Sequence, residues 1–271
     1  MTRRTLRIRE GTLARKLKEQ ARAKEMGVHQ RWQHTRDIPG SGIKTRLACN
    51  KAAGGELHLF SEAEHAEFLE GWYRRDVKVI YDQVALDRDK TQRAAASINV
   101  AHPFYRHLGE PAVLSTSLVY VTERGATHHR EARSVSSSLS VNERELTRSQ
   151  RIEKKTWEDE GATYAVVRAN GMHACRSRNL AWIFRAHNDT VSRKLSDAER
   201  VAQHALLRLV RRQEGLRVID ACGQVDRTLG LPVGSGVRAF RQLAGAKQLA
   251  FDLNVSDPLY IRLANIWRPK L

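Results

Sequence analysis

Three cysteines in 271 residues, Cys49, Cys175 and Cys222, are too few and too scattered to frame a disulfide-stapled fold. No Cys-x-x-Cys or paired Cys/His spacing suggests zinc; His173-x-Cys175 and His128-His129 are the close pairs, and neither makes a ligand set. No apolar run approaches membrane length, and the basic N-terminus is followed by no apolar core, so the expectation is neither a span nor a signal peptide, and a cytoplasmic protein. Acid is scarce as well. Between Lys90 and Glu158 there is no aspartate at all. What the chain has in excess is positive charge: 47 Lys and Arg face 30 Asp and Glu, for +17 at pH 7 and a pI near 10.3. Such an excess attracts a polyanion, with the phosphate backbone of nucleic acid as first choice. The basic residues run along the whole chain, so no single tail accounts for them.

The chain is organised around residues 113 to 168. Val113 to Val121 is rich in β-branched residues and bounded by Pro111 and the turn Glu123-Arg124-Gly125, which predicts a strand. His128 to Val135 predicts its hairpin partner. Asn142-x-x-Glu145 has capping-box spacing and predicts the start of a charged helix that runs to Trp157 and stops before Gly161. Ala162 to Arg168 predicts a third strand. Strand, turn, strand, helix, strand is the usual core of restriction-endonuclease-like nucleases.

Before this core, residues 12 to 26 predict a helix with Ala14, Leu17 and Ala21 on one face and Lys16 and Lys18 on its basic side. Pro39-Gly40 and Ser41-Gly42 predict a turn whose basic sequel, Lys44 and Arg46, can meet phosphate. Ser61-x-x-Glu64 predicts a capping box that opens a helix burying Phe68, Leu69 and Trp72, and in that reading Glu64 bonds back to the Ser61 N–H. Residues 76 to 83 predict a strand.

Taken in order, these motifs resemble the TnsA family, the endonuclease subunits of heteromeric, Tn7-like transposases. The family's proline-serine-glycine turn looks like Pro39 to Arg46, and its Leu-Ser-x-x-Glu helix start and following strand look like Phe60 to Glu64 and Val77 to Gln83. Its His-Pro matches His102-Pro103, and its Ser-Thr-Asp-Phe-Leu matches Ser115 to Val119. Its Gln-Val-Lys and later aromatic helix end register without a gap on Ser134-Val135-Ser136 and Trp157. The likeness runs to about Leu253.

The resemblance implies an α/β protein: a restriction-endonuclease-like N-terminal domain over residues 1–190 and an α-helical, winged-helix-like C-terminal domain over 191–271. It implies double-stranded DNA at transposon ends, the DDE transposase TnsB and the AAA+ ATPase TnsC as partners, and no membrane. The family's catalytic glutamate falls on Glu64. Its metal-binding aspartate falls on Ser117, its glutamine on Ser134 and its catalytic lysine on Ser136. The family would use Mg2+, which wants carboxylate oxygen, and a serine hydroxyl carries neither the charge nor the ligation. Nor can serine replace the ammonium that stabilises charge on phosphate. No metal or other cofactor is therefore expected, and the chain reads as a transposase subunit whose nuclease centre is lost. Two alternatives stand beside it: an active metal-dependent endonuclease cutting the 5′ strand with a rearranged site, and a DNA-bound regulatory adaptor. Glu131-Ala132-Arg133 mimics an acid-x-base pair, but strand alternation turns it away from Ser134 and Ser136.

In the C-terminal part, residues 176 to 185 predict a short helix, 186 to 194 a polar linker, and Ser196-x-x-Glu199 a capping box. Val218, Cys222, Val225 and Leu229 predict a second helix with Cys222 in the core. Residues 235 to 243 predict a third helix and 247 to 253 a strand. Arg238 and Arg241 on the third helix stand where DNA readers place their contacts, whereas the resemblance to TnsA implies that this region binds the ATPase TnsC instead.

Overall fold

The computed structural model describes residues 8–37, 43–136 and 146–269, and its chain divides into two compact units, Met1–Met172 and His173–Leu271. Among the described residues no helix is long and apolar enough to cross a membrane.

The first unit is a mixed α/β structure. Its elements are helix α1 (Glu10–Glu25), strands β1 (Thr45–Ala48) and β2 (Glu56–Leu59), helix α2 (Glu62–Tyr73), strand β3 (Val77–Ala85), helix α3 (Arg88–Ser97) and the short strands β4 (Phe104–Tyr105) and β5 (Glu110–Pro111). They are followed by β6 (Ser115–Arg124), β7 (Thr127–Ser136), helix α4 (Arg148–Asp159) and β8 (Thr163–Arg168). The main sheet has the order β3-β6-β7-β8; the first three strands are antiparallel, and β8 lies parallel to β7. A parallel neighbour cannot be reached by a hairpin, and α4 supplies the crossover. Strand, turn, strand, helix and strand thus stand where the residue pattern places them. The helix begins later than expected: Asn142 and Glu145 lie outside the described residues, and the capping box is made by Thr147 and Gln150.

Alternation on the strands sorts the two faces of the sheet. Val119 and Ala132 pack with Ala94 and Ala95 of α3 and Ile152 and Trp157 of α4. Tyr120 points the other way, where its hydroxyl donates to the Glu67 backbone oxygen (2.7 Å) and to Glu67 Oε1 (3.1 Å) of α2. This approach is possible because residue 71 is glycine: a Cβ there would lie 2.5 Å from Tyr120 Cζ.

The inward face of α1 is not the expected one. Ala14 and Ala21 are exposed, whereas Leu13 and the half-buried Leu17 pack with Trp32 and Val113. Lys16 and Gln20 complete that stripe, because each sends its polar end to a backbone oxygen, of Trp32 (2.7 Å) and Gln30 (2.8 Å). Long polar side chains can cover a core in this way, and that hides the stripe from hydropathy.

The second unit holds α5 (Ala174–Val191), α6 (Asp197–Arg212), α7 (Val218–Leu229) and α8 (Ser235–Gly245). The Ser196–Glu199 capping box opens α6, and Cys222 is fully buried in α7. Two expectations fail. Most of residues 186 to 194 continue α5 instead of forming a linker, because Ala186 stays buried and no proline or glycine interrupts the run. Residues 247 to 253 form no strand; Ala250 alone bridges Trp267. The facing segment is too short to pair further, with a 3-10 turn at Leu263–Asn265 before Trp267 and Pro269, which has no N–H, after it.

Between α7 and α8 the Asp226 carboxylate accepts from the Gly234 N–H (2.8 Å) and the Gly236 N–H (2.7 Å), capping α8. Gly236 also lets the helices touch: a Cβ would sit 2.4 Å from the Cys222 oxygen and 2.7 Å from its Cα. Gly236→Ala should therefore destabilise this unit by about 1–3 kcal/mol, the usual cost of overpacking. Thermal unfolding would show it as a lower midpoint, and an unchanged midpoint would mean that the helices separate freely.

Candidate active site and its basic surroundings

Ser61, in extended backbone, caps helix α2, and its hydroxyl accepts from the Glu64 N–H at 3.1 Å. Glu64 does not answer to Ser61 as the capping box requires. Its Oε2 accepts from the Phe60 N–H (2.7 Å) and from the side-chain amide of Gln83 (3.2 Å), so the carboxylate is drawn one residue back and across to β3. Glu64 is 1% exposed.

Gln83 is unusual. It lies inside a strand with φ of +47°, is buried, and its backbone oxygen accepts from the Trp32 N–H at 2.8 Å. A non-glycine residue held there costs about 1–3 kcal/mol, and such strain gathers at functional sites. In the ladder with β6, Asp82 faces Leu118 and Val84 faces Thr116, which sets Gln83 opposite Ser117.

Ser117 is buried, and its hydroxyl accepts from the Val135 N–H at 3.3 Å. The reason lies in the ladder. Pairing of β6 with β7 ends at Leu118 and Arg133; beyond it Ser134 and Ser136 face Val166 and Arg168 of β8. Where the strands part, the Ser117 hydroxyl takes up a β7 amide. Register and hydrogen bonds thus connect Glu64 to Gln83, Gln83 to Ser117, and Ser117 to the β7 backbone between Ser134 and Ser136.

Beside Ser134 the Tyr164 hydroxyl is buried, and burial, with the nearby Glu153 carboxylate adding to it, pushes its ionisation well up. Glu153 is 6% exposed on α4 and accepts from the Thr116 hydroxyl (3.3 Å), which in turn receives the Trp157 indole N–H (2.8 Å). Sequence reasoning passed over Glu153. Its signal was position: with Ile152, Thr156 and Trp157 it forms the buried stripe of α4, and an acid on such a stripe faces the core.

Glu131 and Arg133 lie on the opposite face, as alternation requires. Arg74, bonded at 2.7 and 3.0 Å, and then Arg133 at 2.7 Å hold Glu131 at about 2 against the opposing effect of burial. This acid-x-base pair clamps the end of α2 to β7.

The residues present do not fit a magnesium ion. Glu64 already takes two hydrogen bonds, neutral hydroxyls occupy positions 117, 134 and 136, and among the described residues no three His, Cys, Asp or Glu come together as a ligand set.

The basic candidates are placed in different ways. Lys16 is held by Asp37 at 2.9 Å and lies over the Trp32 ring, so its charge serves the fold. Lys18 is exposed on the outer face of α1. Lys44 is half-buried next to residues 38–42, which lie outside the described residues, and Arg46 pairs with Glu56 at 2.7 Å. Arg238 is exposed, whereas Arg241 donates to the Trp182 backbone oxygen at 2.9 and 2.6 Å. His173 caps α5 through the Arg176 N–H, which gives the His173-x-Cys175 pair a structural duty.

Residues 174–253 match the family model described as TnsA endonuclease C terminal. The chain is also 24% identical over 245 residues to the Transposon Tn7 transposition protein TnsA of Escherichia coli, covering 90% of this chain and 86% of that one. A match to the second unit and an alignment through both units lead to one conclusion: the chain is a TnsA-like protein.

Proposed function

We propose that this chain is a subunit of a Tn7-type transposition complex that binds transposon-end DNA and joins the DDE transposase TnsB and the ATPase TnsC without cutting DNA itself. The supporting observation is the state of Glu64: the one retained catalytic-type carboxylate already accepts from Phe60 and Gln83, while positions 117, 134 and 136 carry neutral serines. Charge supports the DNA contact, since +17 would draw phosphate strongly. In this reading helices α6 to α8 form a winged-helix-like module, and Lys18 and Lys44 add contacts from the first unit. Loss of the 5′-strand cut leaves the donor joined and favours cointegrate products.

The rival reading, an active endonuclease of the 5′ strand, has one observation in its favour, the buried Glu153 carboxylate near Ser134. One assay separates them. The purified protein, with Mg2+ or Mn2+ and its transposase partner, is expected to leave the 5′ strand of transposon-end DNA intact. A metal-dependent nick abolished by Glu64→Gln would overturn the proposal, and loss of the nick in Glu153→Gln would identify the replacement acid. A regulatory adaptor that has left transposition would lack neighbouring transposase and ATPase genes.

A further inference from the structure

We propose that Arg185 and Arg238, set on either side of the anchored Arg241, form a row of cations on the second unit that grips the phosphate backbone of duplex DNA. The proposal rests on the DNA-binding reading above and says where this unit makes its contact.

Helices α5 and α8 run in the same direction where they touch: Arg241 meets Trp182, and four residues further on Gly245 meets His187 so closely that a Cβ would lie 2.5 Å from the His187 Cβ. Arg241 lies 5.0 Å over the Trp182 ring, which fixes its place. Arg238 is one turn before Arg241 on α8, and Arg185 is one turn after Trp182 on α5. Both are exposed. The anchored arginine therefore stands between two solvent-facing ones.

No described carboxylate pairs with any of the three. Asp189, one turn beyond Arg185, lies 3.5 Å from Arg193, and Glu199 lies 2.8 Å from the same residue. Burial, and then repulsion from Arg185 and Arg238, disfavour the charge on Arg241. A surface shaped for folding alone would place an acid among these charges; an arriving anion relieves them instead. A protein partner normally wants an apolar centre inside a charged rim. Here neither helix exposes a large apolar side chain within one turn of Arg185 or Arg238. Arginine alone on two helices fits phosphate oxygens.

The test uses the full chain, a random-sequence DNA duplex, and anisotropy across a salt series. For Arg185→Glu with Arg238→Glu the expected result is at least about a tenfold loss of affinity at low salt and a salt slope shallower by about two, near one per lost phosphate contact. The neutral pair, Arg185→Gln with Arg238→Gln, should keep or raise the melting temperature, because like charges are removed. If the parent protein binds DNA and the double reversal changes neither affinity nor slope, the row is wrong while the DNA reading stands. If the parent does not bind duplex at low salt, both fall together. Loss of poly-glutamate binding with unchanged DNA binding would assign the surface to an acidic protein partner and overturn the proposal. So would a lowered melting temperature in the neutral pair, which would make these arginines structural.

Discussion

Asp82→Ala should cost the first unit about 3–5 kcal/mol, the usual penalty for leaving one half of a buried ion pair unmatched. The carboxylate is fully buried and organises four donors: His29 Nε2 (3.0 Å), Arg31 Nε (2.9 Å) and Nη2 (3.3 Å), and the His58 backbone N–H (2.8 Å). These tie residues 29 to 31 and strand β2 to β3. Against a total stability of about 5–15 kcal/mol for a domain, the loss brings the variant near the edge of folding. Urea unfolding can be followed through Trp32, Trp72 and Trp157, which are all buried in this unit. A loss below about 1 kcal/mol would show that water or rearrangement replaces the carboxylate easily.

The pH dependence follows from the same residue. Burial opposes the charge, but the hydrogen bonds from His29 and Arg31 prevail and hold the Asp82 carboxyl below its ordinary 3.8. A depressed folded value means that the unfolded chain binds the proton first. The stabilisation is therefore complete above the unfolded value, near 4, and is lost as pH falls through the folded one. Asp82→Ala should flatten the acid limb of the stability curve, since the proton-linked group is gone.

Restoring Ser117→Asp, Ser134→Gln and Ser136→Lys together should confer metal-dependent nicking on a protein otherwise expected to have none. In the same variant Mn2+ should raise the melting temperature, which it should not do in the parent. The basis is the register: Ser117 sits opposite Gln83, which holds Glu64, and Ser134 and Ser136 share one side of β7. Ser117→Asp alone should add little, because the ammonium at 136 is still missing. A folded, DNA-binding triple variant that neither nicks nor responds to Mn2+ would show that the backbone has drifted along with the side chains.

Much of this was legible in the chain. Period-two runs of β-branched residues set β6 and β8, glycine and charge marked the turn between β6 and β7, and the serines could be placed by register because strand alternation leaves no freedom. Other features could not be read. The Glu64 carboxylate turns to Phe60 and Gln83 because a tertiary neighbour competes with the local cap, and no local pattern reports that neighbour. Gln83 in left-handed backbone has no composition signal. Arg241 and Lys16 resembled surface cations until their backbone acceptors on α5 and at Trp32 came into view. The expected strand over 247 to 253 had the right residues and lacked only a partner, which propensity cannot supply.

Helix α2 is fastened along its whole length. Glu64 ties its first turn, the Tyr120 hydroxyl its middle, and Lys51 Nζ donates to the backbone oxygens of Trp72 (2.8 Å) and Arg74 (2.6 Å) at its end. Such a helix should be slow to open locally. Its amides open only when the sheet beneath them does, so it belongs to the slowest cooperative unit of the domain and not to its fraying edge. A partner that docks on α2 would meet a preformed surface and give up little conformational entropy in holding it.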